Sequence, residues 1–595
     1  PQEYLLRSAG GSFESALLPW DQSLLSDLRA VRLPGCDPVI PQRLGELLRT
    51  FVTPLGWVQY DEKIRLAGQR GQQVLLTIRS AAAELYALPW ELCTLKSSGQ
   101  HIGELPGVLL RYEWPETRTE PEQPLPRRSS GRILFAWSAA GGAVPAVQHE
   151  SAITRACQQA GQPFDGAQDC LENATGKRLA ETLQAARSAG QPISVLHILC
   201  HGAGLGSSFG LVLNSTDDSE GPVLVDAGRL RQLLAPYASM VRLVVLMACD
   251  SSNSGELGSQ LGSLAQTLHR AGVAAVVASR YPLSLVGSTL ITEELYQALL
   301  GRLDTLEGAL LAVRDRLLRD APGRDWASVQ LYARSQDGIA TRPLEFRPYR
   351  GLLAFGPEHR RFFFGREREV AEIVADLAAL AASGKPRFLV VAGASGTGKS
   401  SLVLAVAVPK LCQENQFQAL IMRPGAAGLW RLEEACKERA AMRQPPPLLV
   451  VIDQFEEVFT RLVEDLRAEF IKTLWAVASN PDSGISVIVT LRVDFLGHCG
   501  EAVLDSSGLR LDRIAYDESH RVFISQLGFA ELRQAIEQPA ALVGLTLEPG
   551  LCERMLADVS DQPAALPMLS YPLDLLWQRR QEPRPTQAAT PPAGG

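Results

Sequence analysis

The chain has 595 residues, mass for about three to four domains of ordinary size, and its 46% hydrophobic and 21% charged content is that of a globular protein. A net charge of −7 argues against nucleic acid as the main partner. No apolar run approaches the ~20 residues of a membrane-crossing helix, and the runs at 241–248 and 272–279 are of strand length.

The chain opens on Pro1 without a charged-then-apolar leader, so a cytoplasmic location with no membrane partner is expected. Ten cysteines are scattered without CxxC pairs or Cys/His ligand spacing, which disfavours structural zinc. Several sit inside apolar runs, where a thiol packs as a small hydrophobe, as suits a reducing compartment.

In chain order, residues 1–95 give strand signals at 3–7 and 74–78 and a helix signal at 23–30. They end at Leu88-Pro89-Trp90-Glu91-Leu92, a proline-broken apolar run expected in the core. Residues 114–131 are proline-rich and polar, which predicts a surface loop or linker. From 132 the pattern alternates: strand 133–137, helices 150–160 and 179–188, strands 193–199 and 243–247, helix 257–271 and strand 274–279. Short apolar strands separated by helices predict an α/β parallel sheet.

Two of these strands end in reactive residues, Cys200-His201-Gly202 and Ala248-Cys249-Asp250-Ser251. Sites in open α/β sheets form beyond the carboxyl ends of strands, where His201 and Cys249 can converge. A gap of roughly 50 residues with histidine first is the caspase arrangement. His201 would take the thiol proton of Cys249 and return it to the leaving amine. Backbone N–H groups of Gly202 and Cys249 would hold the oxyanion, and a glycine after the histidine permits close approach. The competing reading is a satisfied core histidine and a buried thiol. His197 falls on the same strand face as His201 and reads as structural, with no further partner in sequence; Cys200 alternates into the core.

Residues 1–340 resemble the CHAT domain, a caspase-clan cysteine peptidase family. The resemblance rests on Leu88-Pro89-Trp90-Glu91-Leu92, Leu196-His197-Ile198-Leu199-Cys200-His201-Gly202, Leu246-Met247-Ala248-Cys249-Asp250-Ser251, the run 271–278 and Asp325-Trp326-Ala327. It implies a catalytic dyad at His201 and Cys249. Ser254-Gly255 follow the cysteine later than in many members, so the loop after the nucleophile is expected to differ in shape. Asp226 and Asp250 are candidates to meet a basic P1 side chain, with a solvated or structural carboxylate the weightier role for each.

Residues 346–352 look like a seam between domains, followed by Phe362-Phe363-Phe364-Gly365-Arg366-Glu367 and an amphipathic helix at 370–382. Residues 387–401 then read as a buried strand, a glycine-rich turn and a helix start, and Gly393 to Ser400 match G-x-x-x-x-G-K-[ST]. In such a loop the glycines, here Gly393, Gly396 and Gly398, let successive N–H groups wrap phosphate at a helix N-terminus. Ser395 and Ser401 belong to the same cradle, Lys399 reaches the β/γ-phosphates, and Ser400 ligates Mg²⁺. Downstream, Leu448-Leu449-Val450-Val451-Ile452-Asp453 is an apolar strand ending in an acid that would hold Mg²⁺ through water. Glu456 and Glu457 are both candidates for orienting the attacking water. The strand from 485 delivers Arg492, a candidate γ-phosphate sensor whose competing reading is a surface ion pair with Asp494.

These motifs, with Ala565-Leu566-Pro567-Met568-Leu569, occur in the order found in STAND NTPases of the bacterial novel-STAND group, which the span 346–578 resembles. The group is related to NOD-like receptor and apoptosome ATPases. The resemblance places Gly365, Arg366 and Pro567 near the nucleotide base, and implies ATP and ADP with Mg²⁺ as cofactors of a switch, closed with ADP and homo-oligomeric with ATP. The expected layout is a caspase-like α/β sheet domain over 1–342, divided into an N-terminal portion (1–131) and a catalytic core (132–342), followed by a P-loop α/β core over 346–515. A helical segment or winged-helix start over 516–580 and a disordered tail or linker over 581–595 complete it. The expected function is an ATP-switched cysteine endopeptidase of a bacterial immune or cell-death system. Its partners would be a protein substrate and an activating ligand sensed by a C-terminal region not present in this sequence. The alternative is a STAND signalling scaffold with a catalytically silent CHAT-like domain.

Overall fold

The computed structural model describes residues 1–7, 11–33, 35–114, 131–205, 208–216, 221–248, 261–321, 323–334, 342–415, 417–559, 562 and 565–580. Expectations that fall on 115–130, on Cys249, Asp250 and the loop after them, on 257–260 and on 581–595 lie outside the described residues. The chain forms two compact units, one over Pro1–Glu345 and one over Phe346–Gln581.

The first unit opens with an antiparallel pair, β1 (Gln2–Arg7) and β2 (Phe13–Leu18). Its main sheet is built from β3 (Val74–Arg79), β4 (Val108–Glu113), β5 (Arg132–Trp137), β6 (Cys170–Leu171), β7 (Ile193–Leu205), β8 (Ser208–Leu213), β9 (Val223–Asp226), β10 (Leu243–Ala248), β11 (Ala275–Ser279) and β12 (Val329–Ala333). The order is β3-β4-β12-β11-β10-β7-β5-β6, with β8 and β9 attached to β7. Strands β5, β7, β10 and β11 run parallel in the centre, while β11–β12 and β7–β8–β9 are antiparallel. Residues 243–247 of β10 and all of β11 are buried, which is why both read as unbroken apolar runs. The sheet takes strands from both sides of residues 115–130.

Strand β7 is longer than the expected 193–199. Up to Cys200 it pairs in parallel with β10; from His201 it turns into an antiparallel ladder with β8, His201 opposite Val212 and Gly202 opposite Leu211. Alternation within one strand carries no mark of a change of partner, so the sequence pattern ends the strand too early.

His197 is fully buried, and its partners come from distant elements. Its Nδ1 lies 3.1 Å from the Tyr296 hydroxyl and its Nε2 3.3 Å from Nδ1 of His149, on the helix Ala146–Ala160. Thr292, on the helix Leu285–Tyr296, meets His149 Nδ1 at 2.9 Å. Burial holds His149 neutral down to about 3 and His197 well below its usual range. The run Leu88–Leu92 is core, as expected, and Glu91 is buried with it. The Glu91 carboxylate accepts the Tyr112 hydroxyl at 2.8 Å and lies 3.9 Å from the buried Arg280 guanidinium, so its charge is paired.

The second unit carries an all-parallel sheet of β13 (Phe388–Gly393), β14 (Gln418–Met422), β15 (Leu448–Ile452), β16 (Ile485–Arg492) and β17 (Arg521–Ile524), ordered β14-β15-β16-β13-β17. The apolar strand β13, which leads into the glycine-rich loop, sits inside the sheet, and its successor β14 lies at the far edge, so the order reverses beside β13. Such reversals open a crevice at the carboxyl ends. Strand β17 falls where the sequence reads as helical; four residues beginning with a half-buried arginine give little periodic signal. Helices Phe529–Leu542, Leu551–Val559 and Ala565–Arg579 follow and share an apolar core with Tyr349.

Candidate functional sites

In the first unit the ladder register aligns Cys200 of β7 with Ala248 of β10. His201 is the first residue past this pair on β7, and Cys249, the other member of the expected dyad, is the first past it after β10. Cys249 itself lies outside the described residues. His201 is half-buried, and its Nε2 lies 3.2 Å from the carbonyl oxygen of Ala143. That carbonyl belongs to the loop that follows β5, where a Cβ on Gly141 would stand 2.7 Å from His201 Cβ and one on Gly142 would stand 3.2 Å from Nε2. The imidazole thus packs against a turn that only glycine leaves open. Gly202 has a packing reason of its own: a Cβ there would stand 2.0 Å from the Phe209 ring. Asp226 caps the helix Ala227–Leu234, accepting from the Arg229 N–H at 2.8 Å, which is the structural role weighed for it.

In the second unit β13 runs into a loop with Gly396 and Gly398 in the left-handed region, φ +79° and +86°. A Cβ on Gly396 would stand 2.9 Å from Pro567 Cγ and one on Gly398 3.1 Å from Leu566 Cδ2, so the helix Ala565–Arg579 begins against the loop. Ser395 is exposed at the loop tip. Lys399 donates to the carbonyls of Gly393 (2.9 Å) and Ala394 (2.8 Å), and burial pulls its ammonium below the ordinary lysine range against the opposing charge of Glu456. Ser400 Oγ donates to Asp453 Oδ1 at 2.7 Å, and Thr490 Oγ1 donates to the same oxygen at 2.8 Å. The two residues expected to serve Mg²⁺ are therefore in contact, and Thr490, to which the sequence reading gave no role of its own, orients the acid. Gln454, next to it, takes φ +58°, a conformation that costs a non-glycine residue about 1 kcal/mol or more.

Glu456 and Glu457 separate. Glu457 lies 3.5 Å from Arg461, whereas a buried carboxylate oxygen of Glu456 has no hydrogen-bond partner among the described residues. Arg492 is held by Asp494 through both its Nε (3.1 Å) and a terminal nitrogen (2.7 Å), the ion pair that was the competing reading. Gly365 takes φ +82°, with Glu531 O 2.8 Å from where a Cβ would stand. Arg366 is buried and donates to Glu369 (2.7 Å), Thr397 O (3.0 Å) and Ser525 O (2.7 Å), so its guanidinium braces the glycine loop from behind. Left-handed glycines, a lysine satisfied by its own loop, a hydroxyl–carboxylate pair and an unpartnered acid together fit a Mg²⁺–nucleoside phosphate.

Residues 42–334 match the CHAT domain family, and residues 348–595 match the family described as Novel STAND NTPase 1. The chain is a CHAT domain followed by a novel STAND NTPase domain. No curated protein matches it. Among solved structures it is similar to the Walker-type ATPase PABY2304 of Pyrococcus abyssi, with 13% identity over 38% of this chain and 71% of that one and a TM-score of 0.28. It is also similar to the Thermotoga maritima RuvB Holliday junction branch migration motor, with 17% identity over 37% of this chain and 70% of that one and a TM-score of 0.23.

The CHAT domain holds its histidine by a backbone carbonyl that sequence reasoning did not assign. The small-residue run Ala139-Ala140-Gly141-Gly142-Ala143, directly after a buried strand, was the available signal. In the STAND NTPase domain the P-loop and its acid were legible, and Thr490 and the sorting of the two glutamates were not. Among the described residues no helix is long and apolar enough to cross a membrane.

Proposed function

We propose that the CHAT domain is a cysteine endopeptidase and that the nucleotide state of the STAND NTPase domain controls it. The observation that supports this reading most is the placement of His201, one residue past the Cys200–Ala248 register pair, with Nε2 on the Ala143 carbonyl. A carbonyl only accepts, so Nε2 carries the hydrogen and Nδ1 is the basic nitrogen. Nδ1 takes the Cys249 thiol proton as sulfur bonds to the substrate carbonyl carbon, and gives it to the amine as the C–N bond breaks. Water then hydrolyses the thioester with the same base, restoring the thiol. The N–H groups of Gly202 and Cys249 are the proposed oxyanion donors.

In the STAND NTPase domain Lys399 would meet the β/γ-phosphates, Ser400 and Asp453 would hold Mg²⁺, and Glu456 would orient water. Arg492 would exchange Asp494 for phosphate, while Gly365, Arg366 and Pro567 would border the base. When bound, the triphosphate supplies the anhydride whose hydrolysis returns the switch to its ADP state. A cytoplasmic homo-oligomer acting on a protein substrate in a bacterial immune or cell-death pathway, triggered by an activating ligand, completes the proposal.

The test is cleavage of a proteome-derived peptide library in Mg²⁺–ATP, with new termini read by mass spectrometry. Cys249→Ala and His201→Ala are expected to lose at least about 10²-fold in rate, and Lys399→Ala to lose the dependence on ATP. Undiminished cleavage by Cys249→Ala would refute the peptidase reading.

A further inference from the structure

The segment that opens the STAND NTPase domain is tied at two places. At the first, Arg347 pairs with Asp574 (Nε to Oδ1, 2.6 Å), and buried Tyr349 donates its hydroxyl to the Ile536 carbonyl, inside the core of the C-terminal helices. At the second, the backbone N–H of Phe355 donates to the Ser401 hydroxyl at 3.1 Å, and Arg360 donates to Gln413 at 3.0 Å. The Phe355 ring packs edge-on against Phe363, centroids 5.9 Å apart, and Phe363 lies on the core beneath the P-loop helix. Between the ties Leu352 and Leu353 stand 72% and 64% exposed, so the middle of this strap is free of the core.

Ser401 follows Ser400 on the first helical turn after the glycine loop. A hydroxyl has one hydrogen to donate and two lone pairs. One lone pair of Ser401 takes the Phe355 N–H, and among the described residues its own hydrogen has no acceptor. We infer that Ser401 is a two-sided coupler, accepting from the strap at Phe355 and donating to a phosphate oxygen of a nucleoside di- or triphosphate, so that occupancy of the cradle tightens the strap. This rests on the reading of the P-loop as a nucleotide site. Hydrogen bonds in series polarise one another, so each side of Ser401 strengthens the other. The coupling is reciprocal: a strap held at Phe355 raises nucleotide affinity by the same factor.

The experiment is hydrogen exchange of peptides spanning 351–363 with and without saturating Mg²⁺–ADP, with ADP affinity measured on the same samples. Exchange is expected to slow by about tenfold with ADP, within the usual range for coupled sites, in the unaltered protein and in Ser401→Thr, and not in Ser401→Ala. Phe355→Pro, which removes the N–H and keeps Ser401, should lose the slowing in the same way and serves where Ser401→Ala binds ADP poorly. Equal slowing in Ser401→Ala or Phe355→Pro, or bound ADP without slowing in the unaltered protein, overturns the coupler alone. Failure of the unaltered protein to bind ADP overturns the nucleotide reading as well.

Discussion

At the scale of single residues the peptidase reading depends on how one imidazole is held. Ala143 supplies an acceptor, and Gly141 and Gly142 supply the space. Gly142 sits at φ +133°, and a Cβ there would press on Nε2 at 3.2 Å. Gly142→Ala is therefore expected to displace the ring and break its bond to Ala143. A displacement near 1 Å can cost about 100-fold in rate. Peptide-cleavage kinetics should show a loss of that order while circular dichroism stays unchanged; an unaltered rate would place His201 outside the reaction. In the NTPase domain one hydrogen bond from Thr490 has the comparable role, aiming Asp453 at Ser400.

At the scale of elements, β7 and the helices Ala146–Ala160 and Leu285–Tyr296 meet through His149, His197, Thr292 and Tyr296, all buried and all neutral. In the folded protein His149 stays unprotonated down to about 3 because burial penalises its charge. In the unfolded chain a histidine takes a proton near 6.5. The folded value is the lower one, so stability is full above about 6.5 and is lost as pH falls through the window toward 3. The unfolding free energy of the CHAT domain, from urea titrations, should drop between pH 7 and pH 5 by at most about 1.4 kcal/mol per pH unit for each such histidine. His149→Gln should flatten the profile, and a flat profile in the unaltered protein would contradict the account.

At the scale of the whole molecule two compact units predict two unfolding transitions. Mg²⁺–ADP at a hundred times its Kd should stabilise the NTPase transition by about 2.7 kcal/mol, and calorimetry should show that transition alone move, with Lys399→Ala abolishing the shift. A single transition moving as a whole would mean that the units unfold together.

Much of this architecture was legible without coordinates. Residues 243–247 of β10 and strands β11, β13 and β15 are buried on both faces, so each appears as a nearly unbroken apolar run. The glycine loop was legible because its chemistry is local: the turn, the lysine and the hydroxyl adjoin in the chain. The continuation of β7 past Cys200, the short β17, the acceptor at Ala143, the partners of His197 and the bond from Phe355 to Ser401 were not. The continuation of β7 is a change of partner to its neighbour β8, which alternation does not mark. The others join residues far apart along the chain through a single contact or ladder, which leaves no periodicity in either segment. Local backbone chemistry is written in consecutive residues; which distant atoms meet is decided only when the layers pack.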